Sequence, residues 1–506
     1  MLTKLNSVAV IGLNPQLVEV EVDVSMGDPN KFFIVGLGDL AVQEAKERIR
    51  LAIKNCGFPY PWDKKKVINL APADLKKEGP AYDLAMALGV LLNELELKFN
   101  LNDSIFLGEL SLEGNLRHTN GILPAVIFAK ENNFKNIFVP WINKEEAGLI
   151  EGINIYPLRN LNELVDHLTG KNLIIPYKNE GNYNENNYDD FEVDMAYIAG
   201  QEHSKRALEI AAAGGHNVLM SGPPGAGKTL LAKATSSILP KMLFEEILEV
   251  TKIYSVAGLL PHNKPLITSR PYRSPHHSAS AISLVGGGRI PKPGEISLAH
   301  RGVLFLDEFT EFPRKVLENL RQPLEDGLVS IARVYGTLTY PARFILIAAQ
   351  NPCPCGFATD PDQRCTCSPG QIIKYQQRVS GPIIDRIDLH IEVPRLSFEK
   401  LTDKKVAESS IEIRQRVEAA RRVQQKRFKD LTMLTNSEMR PQEIKEFCQV
   451  DNQGFELLKN AVNQFHLSGR AYHRILKLAR TIADLENCDK IKTQHLAEAL
   501  QYRFNR

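Results

Sequence analysis

Ser221-Gly-Pro-Pro-Gly-Ala-Gly-Lys-Thr-Leu230 is the stretch that decides how this chain folds. Gly222 and Gly227 bracket Pro223, Pro224, Gly225 and Ala226, and Lys228 and Thr229 follow, which is the spacing of a phosphate-cradling loop. Glycines let consecutive backbone N–H groups turn toward a polyphosphate, and the helix that follows presents its positive end to the same anion. In such a loop Lys228 neutralises the β and γ phosphates of ATP, and the Thr229 hydroxyl is a ligand for Mg²⁺. The flanks agree: Asn217-Val-Leu-Met220 suits a buried strand, and Leu230 opens a helical run.

Two further apolar runs extend the same core. Gly302-Val-Leu-Phe-Leu-Asp-Glu308 reads as a strand for the centre of a parallel sheet, ending in two carboxylates. There Asp307 is placed to hold Mg²⁺ and Glu308 to orient and deprotonate an attacking water. Arg343-Phe-Ile-Leu-Ile-Ala-Ala349 is a third strand, after which Asn351 either hydrogen-bonds the attacking water or merely caps the strand. Between these runs, 284–294 exposes Arg289 and Lys292 among glycines and prolines, and 328–340 carries Arg333 and Gly336 between alternating β-formers. Both read as hairpins, with loops braced against a neighbour as the alternative.

Cys353-Pro-Cys355 and Cys365-Thr-Cys367 are two close pairs separated by a turn rich in Gly, Asp and Pro. Four thiolates without histidine suit one closed, structural Zn²⁺ site per chain, the alternatives being a redox pair or unligated thiols. His276-His277, with no cysteine beside them, read as a hydrogen-bonded structural pair. The 62 basic and 60 acidic residues nearly cancel, so any nucleic-acid surface has to be local. No uninterrupted apolar run is long enough to cross a bilayer and none at the start resembles a targeting segment, which predicts a cytoplasmic protein without a membrane partner.

A chain of 506 residues exceeds what one core serves. The expected division is an α+β domain over 1–170, an exposed linker over 171–190, an α/β nucleotide core over 191–395 and a helical lid over 396–506. The lid is expected from amphipathic stretches at 411–428, 451–465 and 471–486. Its basic segment, 413–427, reads as a solvated helix face in preference to a nucleic-acid surface.

Arg270-Pro-Tyr-Arg-Ser-Pro-His-His-Ser-Ala-Ser280, the 284–296 stretch, Asn351-Pro-Cys-Pro-Cys-Gly356 and Gly381-Pro-Ile-Ile-Asp-Arg-Ile-Asp-Leu389 together resemble the ComM family, also called YifB. That family lies in the magnesium-chelatase and MCM branch of the AAA+ ATPases, and the resemblance covers essentially the whole chain. It implies a parallel-sheet P-loop core and a hexameric ring with ATP held between neighbouring subunits. It also implies a DNA motor, of helicase or branch-migration type, in recombination or natural transformation, working on single-stranded or branched DNA. The alternative is a chelatase-type motor that remodels a partner protein for metal insertion. On this resemblance Arg386 matches the arginine finger reaching the γ phosphate of an adjacent subunit. Arg470 matches the second sensor, in the same chain or its neighbour, with Arg474 one turn later as its rival. The hairpins carrying Arg289, Lys292 and Arg333 would face a central channel and meet DNA phosphates.

Lys76-Lys-Glu-Gly-Pro-Ala-Tyr-Asp-Leu84, Leu107-Gly-Glu-Leu-Ser-Leu-Glu-Gly-Asn-Leu116 and Asn120-Gly-Ile-Leu-Pro124 resemble the proteolytic domain of Lon proteases, a ribosomal S5 domain 2-like fold. The family's serine nucleophile falls on Ala81 and its lysine on Leu123, so the resemblance implies the fold without the Ser-Lys dyad. Ser104 or Ser111 would need a base of its own to restore hydrolysis.

Overall fold

Val218–Ser221, Val303–Leu306 and Ile345–Gln350 are apolar on successive residues, and such strands are stable only where both faces are covered. The computed structural model describes residues 2–28, 31–179, 191–261, 265–288, 291–333, 336–396, 407–431 and 433–503. In it these strands form a five-stranded sheet in the order Tyr272–Arg273, Val303–Leu306, Ile345–Gln350, Val218–Ser221, Leu389–Glu392, with every pairing parallel. Parallel alignment puts all the carboxyl ends on one edge, where the loop after Ser221 leads into the helix Lys228–Ile238. Gly227 turns the chain into that helix with φ +89°, in the left-handed region that a side chain disfavours.

The chain forms two compact units, 1–184 with 247–267 and 185–246 with 268–506. In the second, the helices Ser410–Arg427, Asn452–Phe465, Gly469–Leu485 and Thr493–Gln501 send Val417, Leu458, Leu476 and Leu496 into the same core as Val218, Phe305 and Ile347 of the sheet. The helices expected over 396–506 thus share a hydrophobic core with the nucleotide segment. Their basic stretch is not the solvated face expected for it. Arg414 Nε donates to Ser237 O at 2.8 Å and Arg421 Nη2 to Ala212 O at 3.0 Å, carbonyls in the last turns of the helices Lys228–Ile238 and Glu202–Gly214. Those carbonyls lack intrahelical partners, and guanidinium groups satisfy both their lone pairs and their negative end of the dipole. Arg416 and Arg427 pair with Glu209 and Asp484, which leaves Arg422 as the strongly exposed arginine of the stretch.

The first unit carries a seven-stranded mixed sheet, ordered Phe32–Val35, Lys64–Ala71, Asn14–Met26, Leu2–Ile11, Ser104–Phe106, Asn136–Pro140, Asn154–Leu158. Strand alternation sends Leu5 and Ala9 into one core with the helices Leu40–Asn55 and Asp83–Glu94, and Val8 into another with Ile122–Glu131. Residues 247–267, expected within the nucleotide segment, cluster with this unit. Ser255 Oγ donates to Glu146 Oε1 at 2.5 Å and accepts from Gly121 N at 3.1 Å. Leu123 N and Asn143 Nδ2 complete the shell of that buried carboxylate. Ala81 packs against the core around Ile122–Glu131, and Leu123 is fully buried. Ser104 Oγ and Ser111 Oγ take hydrogen bonds from Asn136 Nδ2 and Asn115 N, donors that cannot deprotonate a hydroxyl. Residues 180–190 of the expected linker lie outside the described residues, while Tyr177 bridges Ile155.

Candidate nucleotide site

Gly222 lies so close to the strand Leu389–Glu392 that a Cβ there would stand 2.2 Å from Val393 O. Only glycine allows this approach, which fixes the start of the loop. Buried Gln201 ties down its far side, donating from Nε2 to Pro394 O at 2.7 Å and to Ala226 O at 3.4 Å. Between these anchors Lys228 Nζ donates to Gly222 O (2.6 Å), Pro223 O (2.9 Å) and Asn351 Oδ1 (3.2 Å). All three acceptors are neutral, and burial pushes the Lys228 pKa down against the nearby charge of Asp307. A phosphate anion in the cradle would reverse that penalty. The loop, Lys228 and Asn351 are thus brought together.

Thr229 Oγ1 donates to Asp307 Oδ2 at 2.8 Å. Two adjacent ligand oxygens of Mg²⁺, each held at about 2.0–2.1 Å in octahedral geometry, stand about 2.9 Å apart, so this pair fits one edge of the ion's shell. Glu308 follows with φ +51°, its backbone N–H donating to Asp307 Oδ1 at 2.9 Å. Its Oε2 lies 2.8 Å from Nδ1 of His277, whose ring lies against that of His276, tilted by 35° with centroids 4.0 Å apart. The two rings lie against each other, but they are not the hydrogen-bonded pair expected: His276 Nδ1 meets Ser278 Oγ at 2.8 Å, and His277 faces the candidate base. Residue type alone could not reveal that, because the contact spans 31 positions. Gln201 was likewise not legible.

Arg386 and Arg470 are not at this site. Asn217, just before the strand Val218–Ser221, receives Asp388 N at 3.1 Å and donates from Nδ2 to Arg386 O at 3.1 Å. Arg386 therefore lies at the amino edge of the sheet, a strand length of about 10 Å or more from the loop. Glu325 pairs with both arginines, through Arg386 Nη2 and through Arg470 Nη2 at 3.3 Å. Arg474 donates to Ile387 O on the same edge.

The four cysteine sulfurs all lie within 4.8 Å of one another, with Cys353, Cys355 and Cys365 separated by 3.3–3.7 Å. Zn–S bonds of about 2.3 Å give a tetrahedral edge of about 3.8 Å, so the donor set fits zinc with little adjustment. The knuckle touches the nucleotide loop, since a Cβ on Gly356 would meet Pro224 Cδ at 2.5 Å.

Gly286–Gly287 pairs with Lys292–Pro293, and Leu328–Arg333 with Gly336–Pro341, so both insertions are hairpins. Tyr340 OH donates to Pro291 O at 3.0 Å, joining them. Lys292 is exposed; Arg289 and the side chain of Arg333 lie outside the described residues.

Family models for magnesium chelatase subunit ChlI match residues 20–143 and 194–401, and one for its C-terminal region matches 407–503. Over 506 residues the chain is 43% identical to the competence protein ComM of Haemophilus influenzae, covering 98% of this chain and 96% of that one. It is 43% identical over 498 residues to YifB of Escherichia coli, with the same coverage of each. A shorter likeness, 30% over 149 residues, links 27% of this chain to 26% of Lon protease 2 of Bacillus subtilis.

Proposed function

Since the chain belongs to the ComM and YifB family of magnesium-chelatase-like AAA+ ATPases, we propose that it is an Mg²⁺-dependent DNA motor, of helicase or branch-migration type, that works as a hexameric ring. The observation that carries the ring is the placement of Arg386 and Arg470 at the opposite sheet edge from Lys228. Arginines there cannot reach their own chain's γ phosphate, but they can reach one presented by a neighbour. ATP is then shared between subunits: Gly222 to Thr229 and Asp307 hold its phosphates and Mg²⁺, while Arg386 and Arg470 close the site from the next chain. Mg²⁺ held by Thr229 and Asp307 would supply neutralising charge to the phosphates.

Glu308 takes the proton of the attacking water, and Asn351, already beside Lys228, orients that water. His277 holds the Glu308 carboxylate in place. The joined hairpins bearing Arg289, Lys292 and Arg333 supply cations to DNA phosphates without reading bases, as movement along arbitrary sequence requires. A closed Cys353, Cys355, Cys365 and Cys367 zinc site braces the loop. The first unit is a Lon-like fold kept for docking or assembly. No described helix is long and apolar enough to cross a membrane.

The test is ATP turnover with and without single-stranded and branched DNA. Stimulation by DNA is expected, and replacing Arg289, Lys292 and Arg333 with Ala should weaken binding on all sequences alike. It should also flatten the salt dependence by about one unit of slope for each DNA phosphate no longer neutralised. Indifference to DNA would favour the chelatase-type motor to which the ChlI matches also point.

A further inference from the structure

A cavity of about 570 Å³ opens at the amino edge of the parallel sheet, away from the nucleotide loop, with Asn217, Gly302 and Ile345 at its floor. Arginine and lysine outnumber carboxylates in its lining. Most of the carboxylates are already engaged. Glu246 pairs with Arg270 at 2.8 Å, Glu438 with Arg343 at 2.6 Å, and Glu325 with Arg386 and Arg470 at the rim. Asp388 Oδ2 accepts from Asn217 N at 3.2 Å and faces His216 Nδ1 at 3.4 Å.

Three further cations line the cavity. Arg421 donates from Nε and Nη2 to Ala212 O, Lys477 from Nζ to Ser437 O at 2.7 Å, and Arg474 from Nη1 to Ile387 O. Their acceptors are neutral carbonyls, and Arg474 Nε is buried with no acceptor at all. Burial, then the neighbouring charge of Arg270, presses the Arg421 pKa down to about 10, and burial lowers that of Lys477. The charges of Glu246 and Glu438 act on Arg421, and that of Asp388 on Arg474 and Lys477, but the hydrogen-bond acceptors of all three cations are carbonyls, and a multivalent anion in the cavity would offer them charged acceptors instead. Guanidinium groups in particular present paired donors to phosphate oxygens.

We propose that this cavity is a second phosphate-binding site, which takes an oligophosphate through Arg421, Arg474 and Lys477. It is separate from the cradle at Lys228, but Arg386 and Arg470, which close a neighbour's ATP site in the motor reading, line the same cavity.

Pyrophosphate titrated calorimetrically into the full-length Lys228→Ala chain tests it, at a dilution where sedimentation shows monomer, with ATP titrated in parallel. Saturable one-to-one binding is expected. Tighter binding of ATP would identify a nucleotide as the source, and equal binding a free oligophosphate. Arg421→Gln, Arg474→Gln and Lys477→Gln should each weaken it about tenfold or more, as for the loss of a charged hydrogen bond. Each variant is checked for a cooperative unfolding transition, and Arg421→Lys, which keeps the charge, should lose less. Absence of saturable binding at millimolar pyrophosphate overturns the site. So does binding that survives all three substitutions but vanishes in Arg386→Ala or Arg470→Ala, because the anion would then belong to the rim.

Discussion

Glu308 sits in the left-handed backbone region, a conformation costly for a residue with a Cβ, and its carboxylate is held by His277. Strain of this kind persists where the surroundings fix it, as expected of a base that has to aim at one water. Glu308→Gln should therefore bind ATP normally while hydrolysis falls about a hundredfold or more, whereas Lys228→Ala should lose binding itself. Nucleotide titration beside steady-state turnover separates the two, and wild-type turnover in the Gln variant would remove Glu308 from its role. The loop glycines differ in the same physical way. Gly225 has φ +77° with open space around it, so Gly225→Ala should cost about 1 kcal/mol of backbone strain. Gly222→Ala drives a methyl into Val393 O and should cost roughly 3 kcal/mol, at the upper end for adding a methyl to filled space. Urea unfolding of both variants measures the order, and the reverse order would refute the close-approach argument.

At the scale of elements, motif spacing named the strands and the phosphate loop because each is a local pattern of period and glycine placement. The hairpins were legible for the same reason, from turn residues between β-formers. What they touch was not, since the Tyr340 to Pro291 hydrogen bond depends on how two insertions 49 positions apart pack. The basic helix misled for a related reason. Its arginines look solvated along the chain, but the helix ends they satisfy belong to segments more than 170 positions away. The cysteine knuckle is the clearest case of spacing and geometry agreeing. Protein purified without added metal should carry one Zn²⁺ per chain by elemental analysis, and Cys355→Ser should lower that content. Less than about half an equivalent, or disulfides in fresh protein, would speak against the closed site.

For the whole molecule the decisive question is whether ATP sites are built from two chains. If the proposed ring holds, Arg386→Ala should leave ATP binding largely intact while hydrolysis collapses, because its target charge would then belong to a neighbouring subunit. Mixing Arg386→Ala with Lys228→Ala subunits should restore part of the activity, at boundaries that join an intact loop to an intact finger. Mixed assemblies that recover none would remove the main support for a shared site. By itself the sequence determined the glycine and lysine pattern of the nucleotide loop, the strands that carry it and the two close cysteine pairs, because each is written in residues close together. Only the tertiary structure decided that His277 meets Glu308, that 247–267 packs with the first unit, and that Arg386 and Arg470 stand at the sheet's other edge. Those facts depend on strand order and direction, and in a parallel sheet it is the direction of each strand that assigns a residue to one edge or the other.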